Sequence, residues 1–199
     1  MSVPRLLILT DRHRVRTVGG QLLDTVAAAV DAGADTVLLR ERDLPRNERC
    51  RLALDVAAVA RRGGARFLVS SDPAMAAAAG ADGLHLTATD PVGAGWHGRS
   101  CHDADALERA ANTGAAYATL SPVAPTASKP GYGPTIGVEG TAELASGAPL
   151  PVVALGGIDP ATAFELHEAG VSRVAVMGAV MGSTDPGAVV RRLVAAVAS

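Results

Sequence analysis

The sequence predicts an α/β fold, a single-domain (β/α)8 TIM barrel spanning residues 1–199. Three observations carry that prediction. Short runs of near-continuously apolar residues recur along the chain, as strands buried on both faces of a parallel sheet require. Segments of helical period separate them. Several of those segments close on Ala-Gly or Thr-Gly, the left-handed stop that ends a helix before the next strand. Eight such runs alternating with helices, joined by right-handed crossovers, make a closed barrel. A doubly wound open sheet is the competing architecture, and the lack of a GxGxxG fingerprint after the first run weighs against it.

The strand-like runs are 6–10, 36–40, 66–70, 83–86, a weak one at 99–101, 117–121, 151–155 and 173–177. Between them, residues 18–32 place Leu22, Leu23, Val26, Ala29 and Val30 at helical spacing, and residues 44–62 repeat the pattern with Leu52, Leu54, Val56 and Val59. Residues 103–114, 160–169 and 185–197 behave alike, with Asp103 and Asp159 as N-terminal caps. The glycine closures fall at Gly33, Gly80, Gly114 and Gly170. No linker or domain boundary interrupts the series.

Composition narrows the function. Hydrophobic residues make up 48% and charged residues 19%, which argues against disorder. With aromatics at 3%, the core must be built from Ala, Val and Leu. The net charge is -2 with no basic block, so nucleic acid and anionic membrane have no compositional support. No apolar stretch reaches the roughly 18 residues of a membrane span. Cys50 and Cys101, with no secretory signal ahead of them, read as free thiols of a cytoplasmic protein.

Active sites of such barrels use the C-terminal ends of the strands. There, Gly156-Gly157 follows the seventh run and Met177-Gly178 the eighth, a frequent place for a phosphate held by backbone N–H groups. A side chain at Gly157 is expected to clash with that anion. Arg40 closes the second run and can grip a phosphate or pyrophosphate, or pair with Glu41 across the barrel mouth. The long segment 121–133 reads as a lid in which Thr126, Ser128 and Lys129 offer donors to an anion. His85 and His102, at or just past strand ends, are the candidates for moving a proton near neutral pH, while His13, His97 and His167 look peripheral.

Taken in order, Leu-Arg-Glu-Arg-Asp at 39–43, Gly-Ala-Asp-Gly-Leu-His-Leu at 80–86, Gly-Arg-Ser-Cys-His at 98–102, Ser-Pro-Val-Ala-Pro-Thr-Ala-Ser-Lys at 121–129, Val-Val-Ala-Leu-Gly-Gly-Ile at 152–158 and Val-Ala-Val-Met-Gly-Ala-Val at 174–180 resemble the thiamine-phosphate synthase/TenI family over nearly the whole chain. The resemblance implies a (β/α)8 barrel, usually a homodimer, handling a small phosphorylated substrate. Synthase members join an aminopyrimidine pyrophosphate to a thiazole phosphate with Mg²⁺ helping pyrophosphate leave. TenI-type members act on the thiazole phosphate carboxylate, some as tautomerases. Carried across, Arg40 and Lys129 contact pyrophosphate or phosphate. Thr126 and Ser128 hold the thiazole side, and Gly157, Met177 and Gly178 the product phosphate.

The chain departs from the synthase pattern in three places. Leu38 stands where a Gln is usual, and Ser70-Ser71 where Asn-Asp binds the pyrimidine pyrophosphate and Mg²⁺. Asp90 survives as the one metal candidate, and a hydroxyl is a poor replacement for a carboxylate on a hard cation. Asp72, one residue along, would need a shifted backbone to take over. No tightly bound cofactor is therefore expected, and Mg²⁺ only in a true synthase. These departures favour a TenI-like thiazole enzyme, with the synthase and a non-catalytic phosphate-binding barrel as alternatives. Against the tautomerase stands Pro122, where tautomerase members carry a histidine in the strand-6 loop; His102, oriented by Asp103 or Asp105, or else His85, must then serve as the base.

Overall fold

The computed structural model describes residues 2–92, 95–126 and 134–198. Strands β1 (Leu6–Leu9), β2 (Thr36–Leu39), β3 (Arg66–Ser70), β4 (Gly83–Leu86), β5 (His97–Cys101), β6 (Tyr117–Leu120), β7 (Val152–Leu155) and β8 (Val174–Val176) pair in sequence order into a closed barrel. Every pairing is parallel, and β1 closes the ring by pairing with both β2 and β8. The expected runs thus all become strands, the weak fifth one beginning two residues early at His97.

Helices α1 (Arg12–Thr17), α2 (Leu22–Asp31), α3 (Arg46–Arg62), α4 (Pro73–Ala78), α5 (Ala104–Asn112), α6 (Gly137–Gly147), α7 (Pro160–Glu168), α8 (Gly178–Met181) and α9 (Pro186–Ala196) are laid on the outside. The β4-to-β5 connection carries no helix among its described residues. Asp103 and Asp159 cap their helices as expected, accepting from the amides of Ala106 at 2.7 Å and Thr162 at 2.9 Å. The helix-closing glycines at 33, 80, 114 and 170 all have positive φ.

Two kinds of core result. Inside the barrel, Leu7, Leu9, Leu38, Leu68, Tyr117, Val153 and Ala175 fill the bore, so it is a packed interior and not a channel. Outside, the alternate strand residues meet the helices; Val37, Phe67 and Val69 pack on Val56, Ala57 and Ala60 of α3. No described helix is long and apolar enough to cross a membrane.

Candidate functional site

A cavity of about 670 Å³ opens at the C-terminal ends of the strands. It gathers residues that lie far apart in sequence. Arg40, His85, His102, Thr126, Gly156, Gly157, Met177 and Gly178, all expected at the site, line it together. Ser128 and Lys129 lie outside the described residues. Asp90 is absent from the cavity lining but is tied to it by the Thr87 amide and, through Ser71, by Arg42.

On the β7–β8 side, Gly156 and Gly157 take φ of +98° and +70°, a left-handed region that favours glycine. Their reason is the neighbouring loop. A Cβ at Gly157 would lie 2.6 Å from the Ala124 carbonyl oxygen and 2.7 Å from that of Pro125. Two backbone bonds hold the loops at that distance: Val123 donates to Leu155 at 3.1 Å and Ala124 to the Gly156 carbonyl at 3.0 Å. A side chain at Gly157 would strike the strand-6 loop. The same cavity wall continues through Met177 and the start of α8 at Gly178.

The two histidines differ. His85 sits on β4 and is buried; its Nδ1 is 3.0 Å from the Tyr117 hydroxyl and its Nε2 is 3.1 Å from Ser100 Oγ. Burial, aided by the Arg42 charge, pushes its pKa down to about 4. At neutral pH it is an uncharged hydrogen-bonding spacer and a weak base. His102 is exposed and its Nδ1 donates to the Ser121 carbonyl at 2.7 Å, which places the neutral ring's lone pair on Nε2. Of the two carboxylates expected to orient the ring, Asp103 and Asp105, that of Asp103 is committed to the α5 cap.

On the β2–β3 side the four residues Arg40-Glu41-Arg42-Asp43 part alternately. Arg40 and Arg42 line the cavity. Glu41 and Asp43 turn to Arg12, which donates to Glu41 at 2.9 Å and forks onto both Asp43 oxygens at 2.7 and 2.6 Å. The alternative reading of Arg40, a pair with Glu41, is not formed: Glu41 is held by Arg12. Arg42 sends Nε and Nη2 to Ser70 Oγ at 3.0 and 2.7 Å, and Nη2 also to Ser71 Oγ at 2.5 Å. Ser71 in turn donates to Asp90, whose same oxygen accepts the Thr87 amide at 2.7 Å. Those donors hold the Asp90 carboxyl below its ordinary pKa although burial opposes them. Asp72 points elsewhere, capping α4 and pairing with Arg49 at 2.8 Å, so it takes no part. Among the described residues, no three of His, Cys, Asp and Glu gather closely enough to hold a metal ion. Sequence reasoning placed Arg12 and Arg42 at strand ends but assigned them no role at the site; the alternating signs at 40–43 were the available signal.

A sequence model of the family described as thiamine monophosphate synthase matches residues 6–180. A thiamine-phosphate synthase of Methanoculleus marisnigri is 36% identical over 197 residues, covering 94% of this chain and 92% of the relative. One from a Roseiflexus species is 35% identical over 203 residues, covering 96% and 84%. Among solved structures, a thiamine phosphate pyrophosphorylase from Pyrococcus furiosus superposes with a TM-score of 0.84 at 28% identity, covering 97% of this chain and 95% of that one.

Proposed function

We propose, from the premise that this chain belongs to the thiamine monophosphate synthase family, that it is an enzyme joining an aminopyrimidine pyrophosphate to a thiazole phosphate. One observation carries the reading: a single cavity has a cationic wall, Arg40 with Arg42, and a separate glycine-rich wall, Gly156-Gly157 with Met177-Gly178. Two walls suited to phosphate groups match a reaction between two phosphate-bearing substrates better than one acting on a single thiazole phosphate. Relatives at 35–36% identity that are named synthases point the same way. The sequence alone favoured the TenI type, and the site weakens that preference. Pro122 carries no proton, and His85 is too weakly basic to replace a catalytic base; His102 is left as the only one of the two proposed histidines suited to the task.

In this reading the C–O bond between the pyrimidine's methylene carbon and pyrophosphate breaks, and the thiazole nitrogen forms the new C–N bond to that carbon. Negative charge gathers on the departing pyrophosphate, where guanidinium groups fixed beforehand stabilise it most. Arg40 and Arg42 supply that charge, and Thr126, Ser128 and Lys129 are assigned to the thiazole and phosphate side. A resident Mg²⁺ does not suit the donors present. There is one carboxylate, Asp90, and the Ser71 hydroxyl bonded to it is already bridged to Ser70 by the Arg42 guanidinium. A small hard cation asks for oxygen ligands with free lone pairs, not for a cation beside them.

The test is an assay with both substrates. Formation of thiamine phosphate together with pyrophosphate is the expected result. Conversion of a thiazole phosphate carboxylate alone would restore the tautomerase reading. Calorimetric binding of thiazole phosphate with no turnover of any kind would make the barrel a binding protein.

A further inference from the structure

We infer that Arg42 takes the place of a divalent cation at the β2–β3 wall, so that this chain binds the pyrophosphate group of its substrate without a metal ion. The inference rests on the synthase reading for the identity of the ligand and goes beyond it in saying what holds that ligand.

The corner is built for a guanidinium. Ser70 and Ser71, side by side at the end of β3, present two hydroxyl oxygens that Arg42 spans with Nε and Nη2. Ser71 has φ of +55°, a left-handed conformation that non-glycine residues seldom adopt. That conformation sets its hydroxyl between Arg42 and Asp90, accepting from one and donating to the other. The turn carrying Asp90 is itself pinned. Arg99 donates to the carbonyls of Thr87 at 3.0 Å, Ala88 at 3.1 Å and Asp90 at 3.1 Å. Serine, carboxylate and guanidinium therefore form one chain of hydrogen bonds, with the guanidinium at the end that lines the cavity.

Arg42 has donors left over. Its Nε and Nη2 are used on the serines, and Nη1 takes no partner among the described residues. A guanidinium fork held on one edge offers its other N–H groups to a phosphate in fixed geometry. Arg40 lines the same cavity, and two cations facing one space repel each other. Arg42's proton affinity is lowered, first by burial and further by Arg40 and Arg49, with Asp90 opposing. A polyanion lying between Arg40 and Arg42 relieves that repulsion. A divalent cation entering beside Arg42 adds to it.

Isothermal calorimetry of the full-length protein with inorganic pyrophosphate, in EDTA and in millimolar Mg²⁺, tests this directly. Affinities in the two buffers are expected to agree within about threefold, a difference under 1 kcal/mol. Arg42→Gln is expected to weaken metal-free binding by about tenfold or more, as loss of a charge-assisted fork does, with an unchanged urea midpoint showing that the variant folds. Ser71→Asp, which suits the left-handed backbone and restores a second carboxylate, is expected to make binding depend on Mg²⁺. Parent binding tightened by about tenfold or more by Mg²⁺, an Arg42→Gln protein that binds like the parent, or no binding in either buffer overturns the inference. The two ideas fail separately. Mg²⁺-dependent binding in a protein that makes thiamine phosphate removes only the role of Arg42. Metal-free binding in a protein that makes none removes only the synthase reading.

Discussion

His85 is the residue whose chemistry the fold changes most. It is buried at the cavity wall, with Tyr117, Ser100 and Thr119 all within hydrogen-bonding reach of a neutral ring. The unfolded chain takes up a proton near pH 6.5 that the folded protein refuses until about pH 4. Stability from this residue is therefore complete above pH 6.5 and declines as the pH falls toward 4, by up to about 3 kcal/mol for a single group. The carboxylates of Asp43, Asp72 and Asp90, all held below their ordinary range, lose their share only below that window. Urea midpoints of the parent are expected to fall between pH 7 and 4.5, and those of His85→Gln to stay nearly level. Parallel slopes for the two proteins would remove His85 as the cause. The sequence placed His85 at a strand end, and that much was legible. Its burial was not, because the groups packed around it come from β5 and β6 and converge only when the barrel closes.

At the scale of the element, the turn after β2 and the short helix α1 act as one unit. Glu41 is only 3% exposed and Arg12 14%, so this ion pair is shielded on both sides. With the Arg12 amide also donating to Glu41 at 3.0 Å, the start of α1 is fastened to the turn. Holding Glu41 and Asp43 on one side leaves Arg40 and Arg42 on the cavity side, which makes Arg12 a positioning residue. Arg12→Gln strands a buried carboxylate, at a cost of roughly 2–3 kcal/mol. Affinity for pyrophosphate is expected to fall several-fold as Arg40 and Arg42 lose their aim, with affinity for thiazole phosphate unchanged and Arg12→Lys recovering part of the loss. Equal losses for both ligands would mean that the substitution merely loosens the barrel mouth. Helix α1 was illegible in sequence because Arg-His-Arg-Val-Arg-Thr carries one apolar residue, Val15, and shows no periodic face. Helix α6 was hidden by Gly137, Gly140 and Gly147, which depress helical propensity along a segment whose packing on α7 sustains it. The long helix α3 and the β-runs were legible because burial on a fixed period leaves a mark in composition. By contrast, the Arg42–Ser70–Ser71–Asp90 chain was read only as a missing carboxylate, since which rotamer an arginine adopts depends on three loops meeting.

The whole barrel is a closed volume, and its interior is shared out among strands. With aromatics at 3% of the chain, one large ring fills much of the bore: Tyr117, fully buried on β6. Its register partner on β5 is Gly98, and a Cβ there would overlap the Tyr117 ring. Trp96 packs against the same ring at a tilt of 36°, with centroids 5.4 Å apart. Glycine at 98 is thus a matter of volume and not of backbone conformation, for its φ is not positive. Small against large across neighbouring strands is how a bore of fixed size is filled to native density. Gly98→Ala overpacks the interior and is expected to cost roughly 1–3 kcal/mol. Tyr117→Leu alone leaves a void and frees His85 of one partner, at roughly 2–4 kcal/mol. Because the two changes act on the same space, the double variant is expected to lose less than the sum by about 1 kcal/mol or more. Trp96, the only tryptophan, reports locally on that space by fluorescence, while far-ultraviolet circular dichroism reports on all the strands. β1 pairs with both β2 and β8, so the ring has no edge at which to fray, and the two probes are expected to share one urea midpoint in every variant. Strictly additive costs would show that Gly98 and Tyr117 do not compete for volume. Separate midpoints for Trp96 and the strands would show that the bore yields locally, without the barrel opening.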